Sequence, residues 1–305
     1  MANQIYFSEV AREWWERWRI NGNHDYANEC WRRLEKEVMP KLGHKTLKKI
    51  DAPSILSIVR NIEGRGTLIT ARKVKSHISQ IMRYGIACGY IYSNPARDLS
   101  WALMPHKSTP RAAITDPRQI GLLVRDIAAH KKAKRRLALQ LSALTIVRPG
   151  ELCRAEWAEI EMDTAVWRIP AEKMKMKRPH IVPLPRQAQE ALRELRTVTG
   201  QTRWLFPSRH YTDRPMITRV LNNTLRSLGY ENTVMTAHGF RAMAATVLSE
   251  QGWPSEAIER QLAHIDRNTV RAAYQRSDLL PERRKMMQAW ADYLDMRHAS
   301  AILGR

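Results

Sequence analysis

The sequence predicts a mainly α-helical protein with a small β-sheet, arranged as a four-helix domain followed by an α+β domain. In the first hundred residues apolar side chains recur at helical spacing, without an alternating stretch between them. Later in the chain, the segments 166–170 and 180–184 alternate like short strands, and helical patterns flank both of them. The length of 305 residues also fits about two domains.

Residues 1–98 form the first predicted domain. Its second helix ends before Pro40, and Asp51 followed by Pro53 opens the third. The fourth helix runs from about Thr70 to Cys88. The apolar stripes of the four helices are Val10, Trp14 and Trp18; Trp31, Leu34 and Val38; Ile55, Leu56, Val59 and Ile62; and Val74, Ile78, Ile81, Met82 and Gly85.

The fourth helix carries a basic face opposite its apolar stripe. Such a face suits the phosphates and base edges of DNA, and a solvated charged surface is the alternative interpretation. The candidate DNA-binding residues are Arg72, Ser76, Ser79 and Arg83 on this face and Lys73 and Lys75 on its flanks. Residues 99–114 have little periodicity, and we interpret them as a basic interdomain linker in which Lys107 and Arg111 follow a phosphate backbone.

The chain is strongly basic. Its 51 Lys and Arg residues outnumber its 30 Asp and Glu residues, which gives a formal net charge of +21. That balance favours a polyanionic partner, above all nucleic acid. Three widely spaced cysteines argue against a disulfide scaffold or a zinc ribbon. The sequence shows neither a secretory signal nor an apolar stretch of membrane-spanning length.

Residues 115–305 form the second predicted domain. The segment Thr115-Asp116-Pro117 opens a helix toward His130, and another helix covers roughly Lys134 to Leu144. The two predicted strands enclose a basic, hairpin-like loop over 173–178. After Pro185 the pattern is again mostly helical.

Arg148 and Glu151 form the first candidate site. Pro149 favours the first position of a helix, so Arg148 is expected on a loop at a helix start, where free backbone N–H groups attract anions. Glu151 suits the first turn of that helix and could hold Arg148 in place. The alternative is an ordinary loop arginine with a capping glutamate.

His238 and Arg241 form the second candidate site. They are three residues apart at the start of a predicted helix, so they share a face that would suit an anionic phosphate. The alternative is a pair of exposed polar side chains. Further along, His264 fits a helix C-terminus, and Tyr274 is surrounded by arginines.

The order of these groups, together with lysines in a β-hairpin loop, resembles that of the tyrosine recombinase (phage integrase) family. The segments TIVRPGEL, KMKMKRPHIVPL, HGFRAMAAT and LAHIDRNTVRAAYQR are similar to integrases of enterobacterial prophages and genomic islands. The resemblance covers nearly the whole chain. It implies a SAM-like core-binding domain over 1–98 and a catalytic tyrosine recombinase domain with a C-terminal helix over 115–305.

The resemblance also implies a catalytic role for several of these residues. Arg148 and Arg241 would clamp the scissile phosphate, and Tyr274 would attack it to form a 3′-phosphotyrosine. Lys175 would protonate the leaving 5′-oxygen, with Lys177 as the competing choice because loop lengths vary.

The remaining implied roles support this reaction. His238 and His264 would hydrogen-bond the phosphate and help proton transfer. Glu151 would be structural and would orient either Arg148 or His238. Neither a metal nor another cofactor is implied, and the sequence contains no HExxH or Walker A motif.

The resemblance predicts a site-specific DNA recombinase that integrates or excises a prophage or genomic island. Its partners would be double-stranded DNA att sites and three further copies of the chain in a tetramer, with an excision factor and a DNA-bending host protein as further candidates. It would act in the bacterial cytoplasm, associated with the nucleoid. A type IB-like topoisomerase and a non-catalytic DNA-binding regulator are the alternatives.

Two features depart from longer relatives. Those relatives begin with an arm-type DNA-binding domain, whereas this sequence begins almost directly at the core-binding helices, so we do not expect arm-site binding. The C-terminal segment carries an apolar stripe that would pack either on its own domain or on a neighbouring protomer. The stripe consists of Met286, Met287, Trp290, Tyr293 and Leu294.

Overall fold

The computed structural model describes residues 4–20, 24–105, 112–174, 176–264 and 279–304. The chain forms two compact units, Met1–Thr109 and Pro110–Arg305, each with its own buried apolar core. The predicted fold class is confirmed, because helices dominate both units and the second unit also holds a small sheet. None of the helices in the described ranges combines the length and apolar character that a bilayer crossing requires.

The first unit is helical. Its helices are α1 (Phe7–Ile20), α2 (His24–Glu37), α3 (Met39–Leu42), α4 (Ala52–Gly64) and α5 (Leu68–Ala87). Asp51 caps α4 by accepting a hydrogen bond from the Ser54 N–H at 2.9 Å. As predicted, α2 ends before Pro40, which lies in the first turn of the short helix α3, where a missing N–H costs nothing.

The second unit surrounds a three-stranded antiparallel sheet with helices. The strands are β1 (Ile160–Glu161), β2 (Val166–Ile169) and β3 (His180–Pro183), in the order β1-β2-β3. Trp167 pairs with Val182, which sets the register of the predicted hairpin. The helices are α6 (Pro117–Ala128), α7 (Ala133–Thr145), α8 (Pro149–Cys153), α9 (Arg186–Thr199), α10 (Arg219–Ser227), α11 (Gly239–Glu250), α12 (Ser255–Gln261) and α13 (Leu280–Ile302).

The C-terminal helix α13 packs on its own unit. Trp290 is fully buried, and its Nε1 donates to the carbonyl oxygen of Ala143 in α7 at 2.8 Å. Gly121 in α6 allows the two helices to touch, since a Cβ there would lie 2.5 Å from the carbonyl oxygen of Arg297. Four residues of the apolar stripe of α13 are thus buried within the unit that contains α6 and α7, and Tyr293 is half-buried.

Candidate active site

Arg148 is the N-cap residue of α8, and its extended backbone (φ −66°, ψ 143°) suits the proline that follows. Glu151 accepts a hydrogen bond from the Arg148 backbone N–H at 2.9 Å and another from Arg148 Nη1 at 2.8 Å. Glu151 is buried, whereas 23% of the Arg148 side chain is exposed. The buried carboxylate therefore orients a guanidinium group that solvent still reaches.

Ile146 ends α7 in the left-handed backbone conformation (φ 50°, ψ 25°). A branched side chain rarely adopts this conformation, which costs on the order of 1–2 kcal/mol. Because the Ile146 side chain is fully buried, packing in the core holds the turn in place. The turn directs the Ile146 carbonyl oxygen to Nη1 of Arg241, at 2.6 Å.

Arg241 lies in the first turn of α11 and is 4% exposed, so it is not the exposed polar group of the alternative interpretation. Its Nη2 donates to the carbonyl oxygen of Leu262 at 2.6 Å. Burial, followed by the nearby positive charge of Arg148, lowers the pKa of Arg241 to about 10. The group still carries its charge at neutral pH.

The turn after α12 has the geometry of a Schellman C-cap. The Ala263 N–H donates to the carbonyl oxygen of Arg260, and the His264 N–H donates to that of Glu259, both at 3.0 Å. Ala263 has a left-handed backbone (φ 48°) at the position where glycine is usual. This conformation leaves the carbonyl groups of Leu262 and Ala263 facing the two arginines.

These consecutive carbonyl groups bring the two guanidinium groups to one turn. Leu262 accepts from Arg241 Nη2, and Ala263 accepts from Arg148 Nη2 at 3.0 Å. Both acceptors lie at the negative end of the α12 dipole, which favours cations. Two residues that are far apart in sequence, Arg148 and Arg241, therefore form one cationic cluster.

His264 lies between a carboxylate and Arg241. Its Nδ1 is 2.7 Å from Glu259 Oε2, and its Nε2 is 3.3 Å from Arg241 Nη2. The carboxylate only accepts and the guanidinium only donates, so these partners fit a neutral ring with its proton on Nδ1. The side chain is 46% exposed, which places the imidazole at the solvent edge of the arginine cluster.

His238 directly precedes α11 and is half-buried. Gly239, next to His238, lets the start of α11 lie close to the backbone at Ala112, because a Cβ at Gly239 would lie 2.5 Å from the carbonyl oxygen of Ala112. Thr236 Oγ1 accepts a hydrogen bond from the Gly239 N–H at 3.1 Å. These contacts fix the start of the helix that carries both His238 and Arg241.

The base of the β2–β3 hairpin is anchored by Lys173. Its Nζ donates to Glu156 Oε1 at 2.6 Å and to the carbonyl oxygen of Arg154 at 2.9 Å, and it also pairs with Glu159. Hydrogen bonds from Arg203, which has the larger effect, and from Lys173 lower the pKa of Glu156 to about 2. Lys173 is therefore committed to structural contacts.

The two lysines considered for proton transfer lie further along this loop. Lys177 is exposed and has a left-handed backbone (φ 54°). Lys175 lies outside the described residues, as do Tyr274, Lys107 and Arg111.

The basic face of α5 is smaller than the sequence predicts. Lys73, Ser76 and Arg83 are exposed, but Ser79 is only 5% exposed. Ser79 Oγ accepts a hydrogen bond from Asn94 Nδ2 at 2.9 Å, because residues 94–104 fold back against α5.

The same segment also engages two basic side chains. Arg72 Nη2 donates to the carbonyl oxygen of Met104 at 2.6 Å, and Lys75 Nζ donates to Ser100 Oγ at 2.8 Å. Residues 99–102 form a turn of 3₁₀ helix, although the sequence predicts a linker without periodicity there.

Four residues around the arginine cluster are not among the site residues predicted from the sequence: His180, Glu259, Gln261 and Arg283. Gln261 and Arg283 are almost fully buried between α12, α13 and β3. Burial, followed by the charge of Arg283, lowers the pKa of His180 to about 3, so its ring is neutral at neutral pH. Only Glu259 had a usable clue, its position five residues before His264.

The described residues contain no group of three or more His, Cys, Asp or Glu side chains placed to hold a metal ion. The charged groups that converge near α12 are instead two guanidinium groups with their carboxylate and imidazole partners.

The chain matches two models of known families. The model of the phage integrase family matches residues 115–279, and that of the phage integrase central domain matches residues 7–102. The chain is 39% identical to the integrase of Enterobacteria phage P4, over 97% of this chain and 71% of that protein. It is 35% identical to the prophage integrase IntA of Escherichia coli K12, over 97% of this chain and 72% of that protein.

Solved structures share the fold. A lambda integrase tetramer bound to a Holliday junction has a TM-score of 0.68 at 18% identity, covering 91% of this chain and 79% of that chain. The Tn1549 transposon integrase in complex with a circular intermediate DNA has a TM-score of 0.67 at 15% identity, covering 90% of this chain and 100% of that chain.

Proposed function

Because the chain belongs to the phage integrase family of tyrosine-type, site-specific DNA recombinases, we propose that Arg148 and Arg241 bind the scissile phosphate of its DNA substrate. The convergence of both guanidinium groups on the carbonyl groups of Leu262 and Ala263 carries this proposal. Placed there, two fixed cations stabilise the negative charge that grows on the non-bridging oxygens in the transition state.

Tyr274 supplies the nucleophile in this proposal. Its phenolic oxygen loses its proton to one of the two site histidines, His238 or His264, and forms a bond to phosphorus, while the bond from phosphorus to the 5′-oxygen breaks and a 3′-phosphotyrosine remains. Lys175 donates a proton to the leaving 5′-oxygen, which becomes a free 5′-hydroxyl. A 5′-hydroxyl from a second DNA strand then attacks the phosphotyrosine and restores both the tyrosine and the DNA backbone.

The two histidines assist at the phosphate. Glu259 orients the ring of His264, whose edge is exposed, so that once Nε2 carries a proton it can donate a hydrogen bond to a phosphate oxygen beside Arg241. His238, at the start of α11, also hydrogen-bonds the phosphate in this proposal. Glu151 holds Arg148 and does not touch the phosphate.

The domains divide the work of binding DNA. We assign residues 1–98 to core binding, 99–114 to the connection and 115–305 to catalysis. Lys73, Ser76 and Arg83 are the exposed candidates for phosphate and base contacts. The substrate is a pair of att sites, which a tetramer of this chain holds together. An excision factor and a DNA-bending protein assist the reaction. The reaction takes place at the nucleoid in the bacterial cytoplasm.

Trapping the covalent intermediate tests this proposal. A nicked duplex carrying the att site loses a short 5′-hydroxyl fragment on cleavage, which leaves the chain attached to the DNA. We expect an adduct that resists denaturant and disappears after protease treatment. A chain that binds the site but gives no adduct would be a regulator, and relaxation of any supercoiled plasmid without att sites would indicate a topoisomerase.

A further inference from the structure

Gln261 links the two turns that hold the arginines. Its side chain is fully buried at the last position of α12, directly before Leu262 and Ala263. Its Nε2 donates to the carbonyl oxygen of Thr145 at 3.1 Å, and Thr145 directly precedes the left-handed Ile146. One amide group therefore connects the turn after α12 with the turn after α7.

Arg283 fixes the other end of that amide. It is 1% exposed, and its Nε and Nη2 donate to Gln261 Oε1 at 3.0 and 2.7 Å. Its Nη2 also donates to the carbonyl oxygen of Ile181 in β3, at 2.6 Å. Because a guanidinium only donates, it selects the orientation of the amide in which Nε2 faces Thr145.

His180 adds a contact to the same residue. Its Nε2 lies 3.2 Å from the carbonyl oxygen of Gln261, which can only accept, so the ring proton lies on Nε2. Strand β3, helix α12 and helix α13 thus meet at Gln261, one residue from the first carbonyl that binds an arginine.

We propose that Gln261 and Arg283 are positioning residues for the arginine pair: together they hold the turns at 145–146 and 262–263, whose carbonyl oxygens orient Arg241 and Arg148. This inference rests on the proposed function, because the arginines must act on a phosphate for their orientation to matter. It also makes the docking of α13, through Arg283, a condition for an ordered active site.

The test compares two substrates with the full chain. In one nicked att duplex the scissile phosphate is natural, and in the other it is a methylphosphonate, which lacks one negatively charged oxygen. A neutral phosphonate needs less charge stabilisation, so a defect in the arginine pair should cost less on it. The variants are Gln261→Met, which keeps the side-chain length, and Arg283→Met, which keeps the aliphatic part of the side chain; both remove the hydrogen bonds.

We expect both variants to cleave the natural phosphate up to about 100-fold more slowly, since small displacements of catalytic groups cost that much. The loss should shrink at least several-fold on the methylphosphonate, and DNA binding in a gel-shift assay should stay unchanged. Arg284→Met is the matched control. Arg284 lies on the same helix but donates to the carbonyl oxygens of Thr164 and Ala165, at the β1–β2 turn, and its variant should behave as the wild type.

An equal loss on both substrates, or wild-type cleavage by both variants, overturns the positioning role. Arg241→Ala separates that result from a failure of the proposed function. If Arg241→Ala shows no relief on the methylphosphonate, the arginine pair itself is wrongly assigned and both proposals fail. If Arg241→Ala is relieved and the Gln261 and Arg283 variants are not, only the positioning role fails.

Discussion

Glu151 holds Arg148 at two points, accepting from its backbone N–H at 2.9 Å and from its Nη1 at 2.8 Å. The carboxylate is buried, and the nearby Arg241 is also buried, so Glu151 offsets part of the repulsion between two close cations. One side chain thus caps α8, sets the direction of a guanidinium and lowers the electrostatic cost of pairing it with another.

Glu151→Gln tests this arrangement. The amide keeps the size of the side chain but loses the charge, so we expect unfolding free energy to fall by about 1–3 kcal/mol in urea titrations. Adduct formation should fall about tenfold because Arg148 loses its fixed direction. Glu190→Gln is the control, because the Arg186–Glu190 pair is exposed and should contribute less than about 1 kcal/mol. Equal stability of both variants would contradict the role of Glu151.

Tyr274→Phe should bind att DNA as tightly as the wild type and form no covalent adduct, because the variant lacks the attacking oxygen. Denaturing gels of the nicked duplex measure the adduct, and gel shifts measure binding. An adduct that persists in the variant would place the nucleophile elsewhere.

Lys175→Ala should slow cleavage strongly on a natural duplex and far less on one with a 5′-bridging sulfur at the scissile position. A thiolate leaves without a proton, so the general acid becomes dispensable. The same comparison with Lys177→Ala distinguishes the two lysines. Lys173 serves as the structural reference, since its ammonium group is bound by Glu156 and Glu159, and Lys173→Met should slow both substrates alike.

Lys73→Ala should weaken att binding and reduce the slope of log affinity against log salt by about one, the loss of one phosphate contact. Lys73 is exposed on α5, whereas Lys36 is exposed at the end of α2, outside the proposed DNA-binding face. Lys36→Ala should leave the slope unchanged. Equal slopes for Lys73→Ala and the wild type would remove Lys73 from the DNA interface.

His77 makes the first unit sensitive to acid. Burial lowers its pKa to about 4, from 6.5 in an unfolded chain, so the folded state resists protonation. The contribution to stability is present above pH 6.5 and is lost as pH falls toward 4. Between pH 7 and 5 it amounts to about 2 kcal/mol.

The check is urea unfolding at both pH values, followed by the fluorescence of Trp14 and Trp18, which flank His77. His77→Gln should lose less stability on acidification than the wild type, and substitution of the exposed His44 by Gln should not differ from the wild type. A wild-type pH response in His77→Gln would contradict the burial argument.

The elements that build the fold could be predicted from local patterns. Helix α5 begins and ends within two residues of its expected bounds, and both hairpin strands are confirmed, because periodicity and turn residues are local signals. Strand β1 has only two residues, too few to show a period. The fold of residues 94–104 against α5 depends on long-range hydrogen bonds and has no such signal.

The arginine site was likewise predictable only where the sequence itself carries a pattern. Arg148, Glu151, His238, Arg241 and His264 could be proposed as site residues from the sequence because their residue types and order carry the family pattern. The turns that orient them could not, since rules for helix C-caps look for glycine, and Ile146 and Ala263 take left-handed backbones without it. Gln261 and Arg283 meet only through tertiary packing.

The carbonyl groups of Ile146, Leu262 and Ala263 are dipoles without net charge. They restrain both guanidinium groups and leave the positive potential of the cluster largely intact, whereas acidic side chains in the same places would cancel it. The arginine cluster can thus stay rigid and still attract an anion. Moreover, every residue type carries the same backbone carbonyl group. Substitutions at 262 or 263 that preserve the turn would therefore leave these hydrogen bonds to the arginines unchanged.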